Sequence, residues 1–280
     1  MIIELTKNQV NKLGLFGHRW RLWLAHTPES GLWLLSVGIW IWLLSENILV
    51  TSDSAHVHSI HALTLHSTLP DIHWPKLVVA VQDGLGNWMV MVVAMMFPLL
   101  AEPVRRVAFS NLFDRRFQAV VTFLLGYGFI WGCVGIVYLA SMFFTGVLVA
   151  ETSESVGILI ASAGFLLAAF ICWIPSRRIT LSACSITIPF RIQGWQSTLD
   201  CFSYGLTMGR VCVKMCWAPM AALMLANHNF LLMCLVTIIL IYERYGLPHK
   251  SKFPSYAWLI IAIVLFASEY NIPSAMGAQK

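Results

Sequence analysis

Residues 117–140 read FQAVVTFLLGYGFIWGCVGIVYLA, twenty-four positions without an Asp, Glu, Lys or Arg. At about 1.5 Å per residue, a helix of that length crosses the ~30 Å hydrocarbon core of a bilayer. The apolar character continues through SMFFTGVLVA, which predicts one long, tilted helix.

Six further apolar stretches lie on either side, at 31–50, 87–104, 156–174, 205–226, 229–243 and 257–273. Hydrophobic residues make up 58% of the 280 positions and charged residues only 11%, with a mean hydropathy of +0.74. A soluble globular domain carries roughly 25% charged residues, too many for this composition to match. The expected fold is therefore all-α, a polytopic transmembrane helical bundle of about seven spans. Twelve Trp, sixteen Phe and seven Tyr suit rings anchored among lipid headgroups, so membrane lipids are expected neighbours.

The formal net charge of +5 is distributed in a way that gives a topology. Lys7, Lys12, Arg19 and Arg21 precede the first span. Arg105, Arg106, Arg115 and Arg116 follow the second, Arg177, Arg178 and Arg191 the fourth, and Arg244, Lys250 and Lys252 the sixth. The alternate connections, 51–86, 151–155 and 227–228, are poor in basic residues. The positive-inside rule then places the N-terminus in the cytoplasm and the C-terminus outside, in a bacterial inner membrane. This reading divides the chain into a cytoplasmic amphipathic arm (1–30), a first span with an external loop (31–86), and a six-span bundle (87–280). The segment from Arg177 to Cys201 is amphipathic and is expected along the inner membrane surface. The basic residues thus serve topology, and no nucleic-acid partner is expected. The start of the chain shows no cleavable signal pattern, and seven cysteines, mostly in apolar segments, do not suggest a disulfide framework.

Three constellations bear chemistry. The external loop, TSDSAHVHSIHALTLHSTLPDIHWP, holds His56, His58, His61, His66 and His73 with Asp53 and Asp71. Imidazole and carboxylate suit copper or zinc, and the same residues also suit a polar interfacial loop. The second span carries Met89, Met91, Met95 and Met96 before Pro98. Thioether sulfur selects Cu(I), yet methionine is equally an apolar packing residue. Pro98 is expected to kink the helix and free a carbonyl. In the fifth span Met208, Cys212, Met215 and Cys216 share one helical face, and two cysteines four apart can offer two thiolates to one metal if another helix completes the set. Arg210 and Lys214 sit on the opposite face. Glu102 and Glu243, at compatible depths, are the expected ion-pair partners, as an inter-helix clamp rather than a proton relay. No two spans offer mid-membrane histidines for haem, no nucleotide-binding fingerprint appears, and no nucleophile–base pairing marks an enzyme.

Trp88 to Pro98 is similar to the MMxAMMxP signature of a bacterial family of predicted metal-binding integral membrane proteins. The resemblance continues through Gly126, Tyr127 and Trp131. It is strongest from Gly205 to Glu243, where Met208-Gly209, Cys212, Cys216-Trp217-Ala218, Met220, Asn229, Met233 and Glu243 follow that family's pattern. It covers about residues 87–275. It implies a compact multi-span bundle that handles a metal, with copper the expected ion. Met215 stands where the family has the first of two adjacent cysteines, and Thr180 where its basic loop has another. Arg210 and Lys214 flank positions that are uncharged in the family.

The expected function is to bind or deliver a soft metal ion, copper, in support of a membrane metalloenzyme. The His loop would capture metal, and the Met and Cys faces would hold or pass it. The other expectation is an accessory subunit of a larger membrane complex, such as a copper-dependent monooxygenase or a respiratory assembly, with a decayed metal site.

Overall fold

The computed structural model describes residues 27–50, 74–148, 154–174, 191, 195–226, 230–245 and 253–277, and every regular element among them is a helix. Eight α-helices follow in order: α1 (Pro28–Val50), α2 (Trp74–Met96), α3 (Ala101–Phe109), α4 (Arg116–Leu148), α5 (Glu154–Trp173), α6 (Trp195–Leu225), α7 (Phe230–Tyr245) and α8 (Phe253–Gly277). The N-terminal arm and the histidines of the 51–73 loop, including His56, His58 and His61, lie outside the described residues.

A helix occupies each of the seven apolar stretches, with boundaries that differ in two places. The second was expected over 87–104, kinked at Pro98. It begins earlier, at Trp74, and breaks after Met96. Pro98 is the cause, because it has no N–H to give the carbonyl four residues back. The chain turns through a short 3-10 helix, Pro98–Leu100, and Val81–Met96 and Pro98–Phe109 are bent by 51°. The freed Ala94 carbonyl accepts hydrogen bonds from Ser36 Oγ at 2.6 Å and Trp40 Nε1 at 3.2 Å, both on α1. The Pro98 carbonyl accepts one from the Tyr245 hydroxyl of α7 at 2.9 Å. The break is therefore held open by two neighbouring helices.

The second correction concerns α6, which begins at Trp195, ten residues before the expected 205. Residues 195–204 were expected in the connection that follows the fourth span. Two of the side chains there meet Asn111, just beyond the end of α3. Ser197 Oγ donates to Asn111 Oδ1 at 2.9 Å, and the Asn111 amide donates to the Val107 carbonyl and toward Cys201 Sγ. The expected continuation of the 117–140 helix is observed, since α4 runs to Leu148.

The longest contact is between α4 and α6, with α5 packed between α6 and α8, and α2 lying on α4. Two glycines let α4 and α6 meet at the backbone. A Cβ on Gly126 would collide with the Phe202 carbonyl oxygen, and one on Gly205 with the Phe123 carbonyl oxygen. Gly209, one turn on, lies under Ile130, whose Cβ would be 2.9 Å from a Gly209 Cβ. Small residues spaced by four let helix backbones approach closely, which strengthens dispersion contacts. Trp88 of α2 keys into this pair. It is buried, stacks on Tyr138 with centroids 5.6 Å apart, and donates from Nε1 to the Trp131 carbonyl at 2.9 Å.

The outer surface is apolar. Phe117, Leu125, Phe129 and Val137 of α4, Ile41 and Ile48 of α1, Leu231 and Ile238 of α7, and Ile260 and Val264 of α8 all face outward. Among the described residues one helix, Phe113–Ser141, is long and apolar enough to cross a membrane. A second qualifies if the bent pair Val81–Met96 and Pro98–Phe109 forms one span. Leu159–Trp173 and Phe253–Ser268 are shorter apolar helices.

Candidate metal centre

The break at Pro98 leaves Met96 as the last residue of α2, fully buried and directed at α6. There its Sδ lies 3.8 Å from Cys212 Sγ, and Cys212 Sγ lies 4.0 Å from Cys216 Sγ. The two cysteines are one helical turn apart, so their side chains project from one face of α6. Met208, Met215 and Cys216 on that face are buried, as the helical spacing requires. Both cysteines are free thiols.

The geometry of these three sulfurs is informative. A metal–thiolate bond of about 2.3 Å separates the ligands by about 4.0 Å in a trigonal site, about 3.8 Å in a tetrahedral one and about 4.6 Å in a linear one. The Met96–Cys212 and Cys212–Cys216 edges, 3.8 and 4.0 Å, fall in the trigonal-to-tetrahedral range. Two thiols and a thioether form a soft donor set, which suits Cu(I) far better than a hard cation. Among the described residues no group of three or more His, Cys, Asp or Glu converges, so the triad depends on its methionine.

Side chains of α4 and α7 flank Cys212. The Tyr127 hydroxyl of α4 donates to Cys212 Sγ at 3.2 Å. It reaches that sulfur because the Gly126–Gly205 crossing brings the two backbones together. Trp131, one turn beyond Tyr127, is fully buried. Its indole N–H is within reach of both Cys212 and Tyr127, but it makes no well-aligned hydrogen bond to either. The guanidinium of Arg244, on α7, is within electrostatic reach of Cys212. Arg244 is mostly buried and lies 3.9 Å from Glu102 Oε2, while Glu102 also pairs with Arg106.

The structure brings together three of the ten metal-ligand candidates: Met96, Cys212 and Cys216. Met95, Met208 and Met215 are buried in the same core. Met89 is partly buried, with its methyl beside Gly128 of α4. The expected ion pairs are rearranged. Glu102 takes Arg106 and Arg244 as partners, and Glu243 is approached by the Cys172 thiol at 3.6 Å and Trp258 Nε1 at 3.4 Å. Arg210 and Lys214 are exposed, on the side of α6 away from the sulfurs. Opposite faces of one helix cannot both meet the bundle interior, and the sulfur face occupies it. Tyr127, Trp131 and Arg244 were not among the expected site residues, although the family resemblance runs through Tyr127 and Trp131.

Residues 85–270, well over half of the chain, match the model of a family described as "PpoB2: Copper chaperone". No curated protein and no solved structure matches the chain.

Proposed function

The chain belongs to the PpoB2 copper chaperone family, and from that premise we propose that it is an integral membrane protein that holds Cu(I) on Met96, Cys212 and Cys216 and delivers it to a copper enzyme. The carrying observation is the convergence of three sulfurs from two helices at 3.8 and 4.0 Å in a buried core. The apolar outer surface and the low charge content support the membrane setting.

Binding requires no redox step. Cu(I) forms bonds to the sulfurs, each cysteine used as a thiolate releases its proton to water, and the copper stays cuprous. With two thiolates the loaded centre carries a net charge of about −1. Arg244 supplies nearby positive charge, which lowers the cost of burying that anion. The thioether of Met96 adds a third ligand without adding charge, and so favours a monovalent ion. Met89, Met91, Met95 and Met96 stand at successive depths along α2, a ladder of soft donors about 10 Å long. With the N-terminus inside, the His-rich loop would capture metal on the outer face and the ladder would lead inward to the triad. The protein acts as a carrier, not a catalyst.

Titration of the purified protein with Cu(I) against a chromogenic chelator such as bicinchoninate tests the reading. The wild type is expected to compete, and a Met96→Leu/Cys212→Ser/Cys216→Ser variant is not. Equal competition by the two would exclude the triad as the copper site. Protease protection of an N-terminal tag in sealed membranes tests the topology, and cleavage from the outer face would overturn it.

Arg210 and Lys214 favour a second reading, as an accessory subunit within a membrane complex. Each exposed cation in a membrane span costs about 2.5–3.5 kcal/mol on insertion scales unless a partner or lipid headgroup compensates it. Neutral variants at both positions that leave assembly with neighbouring subunits intact would remove this support.

A further inference from the structure

Tyr127 already donates to Cys212, but the Trp131 indole does not complete a hydrogen bond. Its Nε1–H lies in a fully buried ring within reach of that sulfur and that hydroxyl, without a well-aligned hydrogen bond to either. Buried donors without partners are rare in native proteins because each costs about 1–3 kcal/mol. One that persists next to a cluster of ligand atoms marks a place where an acceptor arises in another state of the protein. A thiol is a weak acceptor. The thiolate formed when Cys212 gives up its proton to bind copper is a strong one, and hydrogen bonds to charged groups are about twice as strong as neutral ones.

We propose that Trp131 Nε1–H, together with the Tyr127 hydroxyl, is a donor to the Cys212 thiolate of the copper-loaded centre, so that Trp131 is a positioning residue that tunes how tightly the ion is held. This rests on the copper reading given above. The rest of the ring is already fixed for the task. Trp88 Nε1 donates to the Trp131 carbonyl and the two rings pack with centroids 5.8 Å apart, which holds the α4 turn that presents the indole. The neighbouring Tyr127 is set by the glycine crossing. Neither constraint satisfies the indole N–H itself. In the loaded state the two donors share the negative charge that the thiolates bring into the core, and they do so without titrating. Partners of metal ligands in this outer position typically change metal affinity by about 10- to 100-fold when removed.

The test uses the full-length protein in detergent or lipid nanodiscs, with Cu(I) itself as the probe and bicinchoninate as the competitor. Replacement of Trp131 by 3-benzothienylalanine keeps the bicyclic shape and substitutes sulfur for the N–H. This variant is expected to hold Cu(I) about 10- to 100-fold more weakly. Its ultraviolet thiolate-to-copper absorption is expected to move to lower energy, because a thiolate that loses a hydrogen bond is easier to ionise. Trp131→Phe should show the same spectral shift. Trp42→Phe, at an exposed tryptophan of α1, should leave the absorption energy in place. Wild-type affinity together with an unshifted absorption in the benzothienyl variant would overturn the proposal. A wild type that binds no more Cu(I) than the Met96/Cys212/Cys216 variant would overturn the copper reading and this inference with it.

Discussion

Met96 Sδ and Cys212 Sγ stand 3.8 Å apart although 116 residues separate them in the chain. The pair exists because α2 ends where it does. Pro98 stops the helix two residues beyond Met96, and α1 and α7 take up the carbonyls that the stop releases. The soft donor set is thus a product of a backbone break as much as of its ligands.

Copper binding is expected to strengthen as pH rises. Two thiols must lose protons to become thiolates, so below their pKa values the logarithm of the Cu(I) affinity increases by as much as about two for each pH unit. Cys212→Ser removes one of those protons, and the slope is expected to fall to about one. Chelator competition across a pH series measures both slopes. A wild-type affinity independent of pH would contradict thiolate ligation.

The α4–α6 crossing leaves no space for a side chain. Gly126→Ala or Gly205→Ala would press a methyl group against a carbonyl of the facing helix, and neither backbone can rotate away as a flexible side chain does. Each substitution is expected to cost about 1–3 kcal/mol and to weaken Cu(I) binding, since Tyr127 and Cys212 meet only at this crossing. Thermal unfolding in detergent reads the first effect, and chelator competition the second. Gly38→Ala, where no atom lies within 4 Å, is the control and is expected to be neutral.

The Ala94 carbonyl is the point where α1 holds the break. Ser36→Ala alone leaves the Trp40 hydrogen bond and is expected to cost about 1 kcal/mol. Ser36→Ala with Trp40→Phe removes both donors and leaves a buried carbonyl unsatisfied, for a further cost of about 1–3 kcal/mol. The double variant should therefore lose more stability than Ser36→Ala by that margin. Unfolding curves that match for the two would show that the carbonyl has found another donor.

Three cations differ in where they stand relative to the sulfurs. Arg244→Gln withdraws positive charge from the neighbourhood of Cys212 and is expected to lower Cu(I) affinity. Arg210→Gln and Lys214→Gln, on the far side of α6, are expected to leave it unchanged. The same chelator assay ranks the three, and an equal loss from Lys214→Gln would contradict the assigned orientation of α6.

Much of this protein can be read along the chain. The runs of apolar residues located a helix at each of seven stretches, since a helix pairs its backbone polar groups within the run itself. The spacing of Met208, Cys212, Met215 and Cys216 placed them on one face, because helical periodicity is local. Pro98 announced both the kink and the freed carbonyl, because proline chemistry is local as well. The early start of α6 escaped detection for the converse reason. Ser197 and Cys201 are polar by type, but Asn111, almost ninety residues away, satisfies them. Only the tertiary structure selected Met96 from among the methionines of α2, turned Tyr127 and Trp131 toward Cys212, and gave Glu102 to Arg244 rather than to Lys214. Each of those choices depends on which helix faces which, and at what depth. That is decided by close packing between distant segments, here by the approach of α4 and α6 at Gly126 and Gly205.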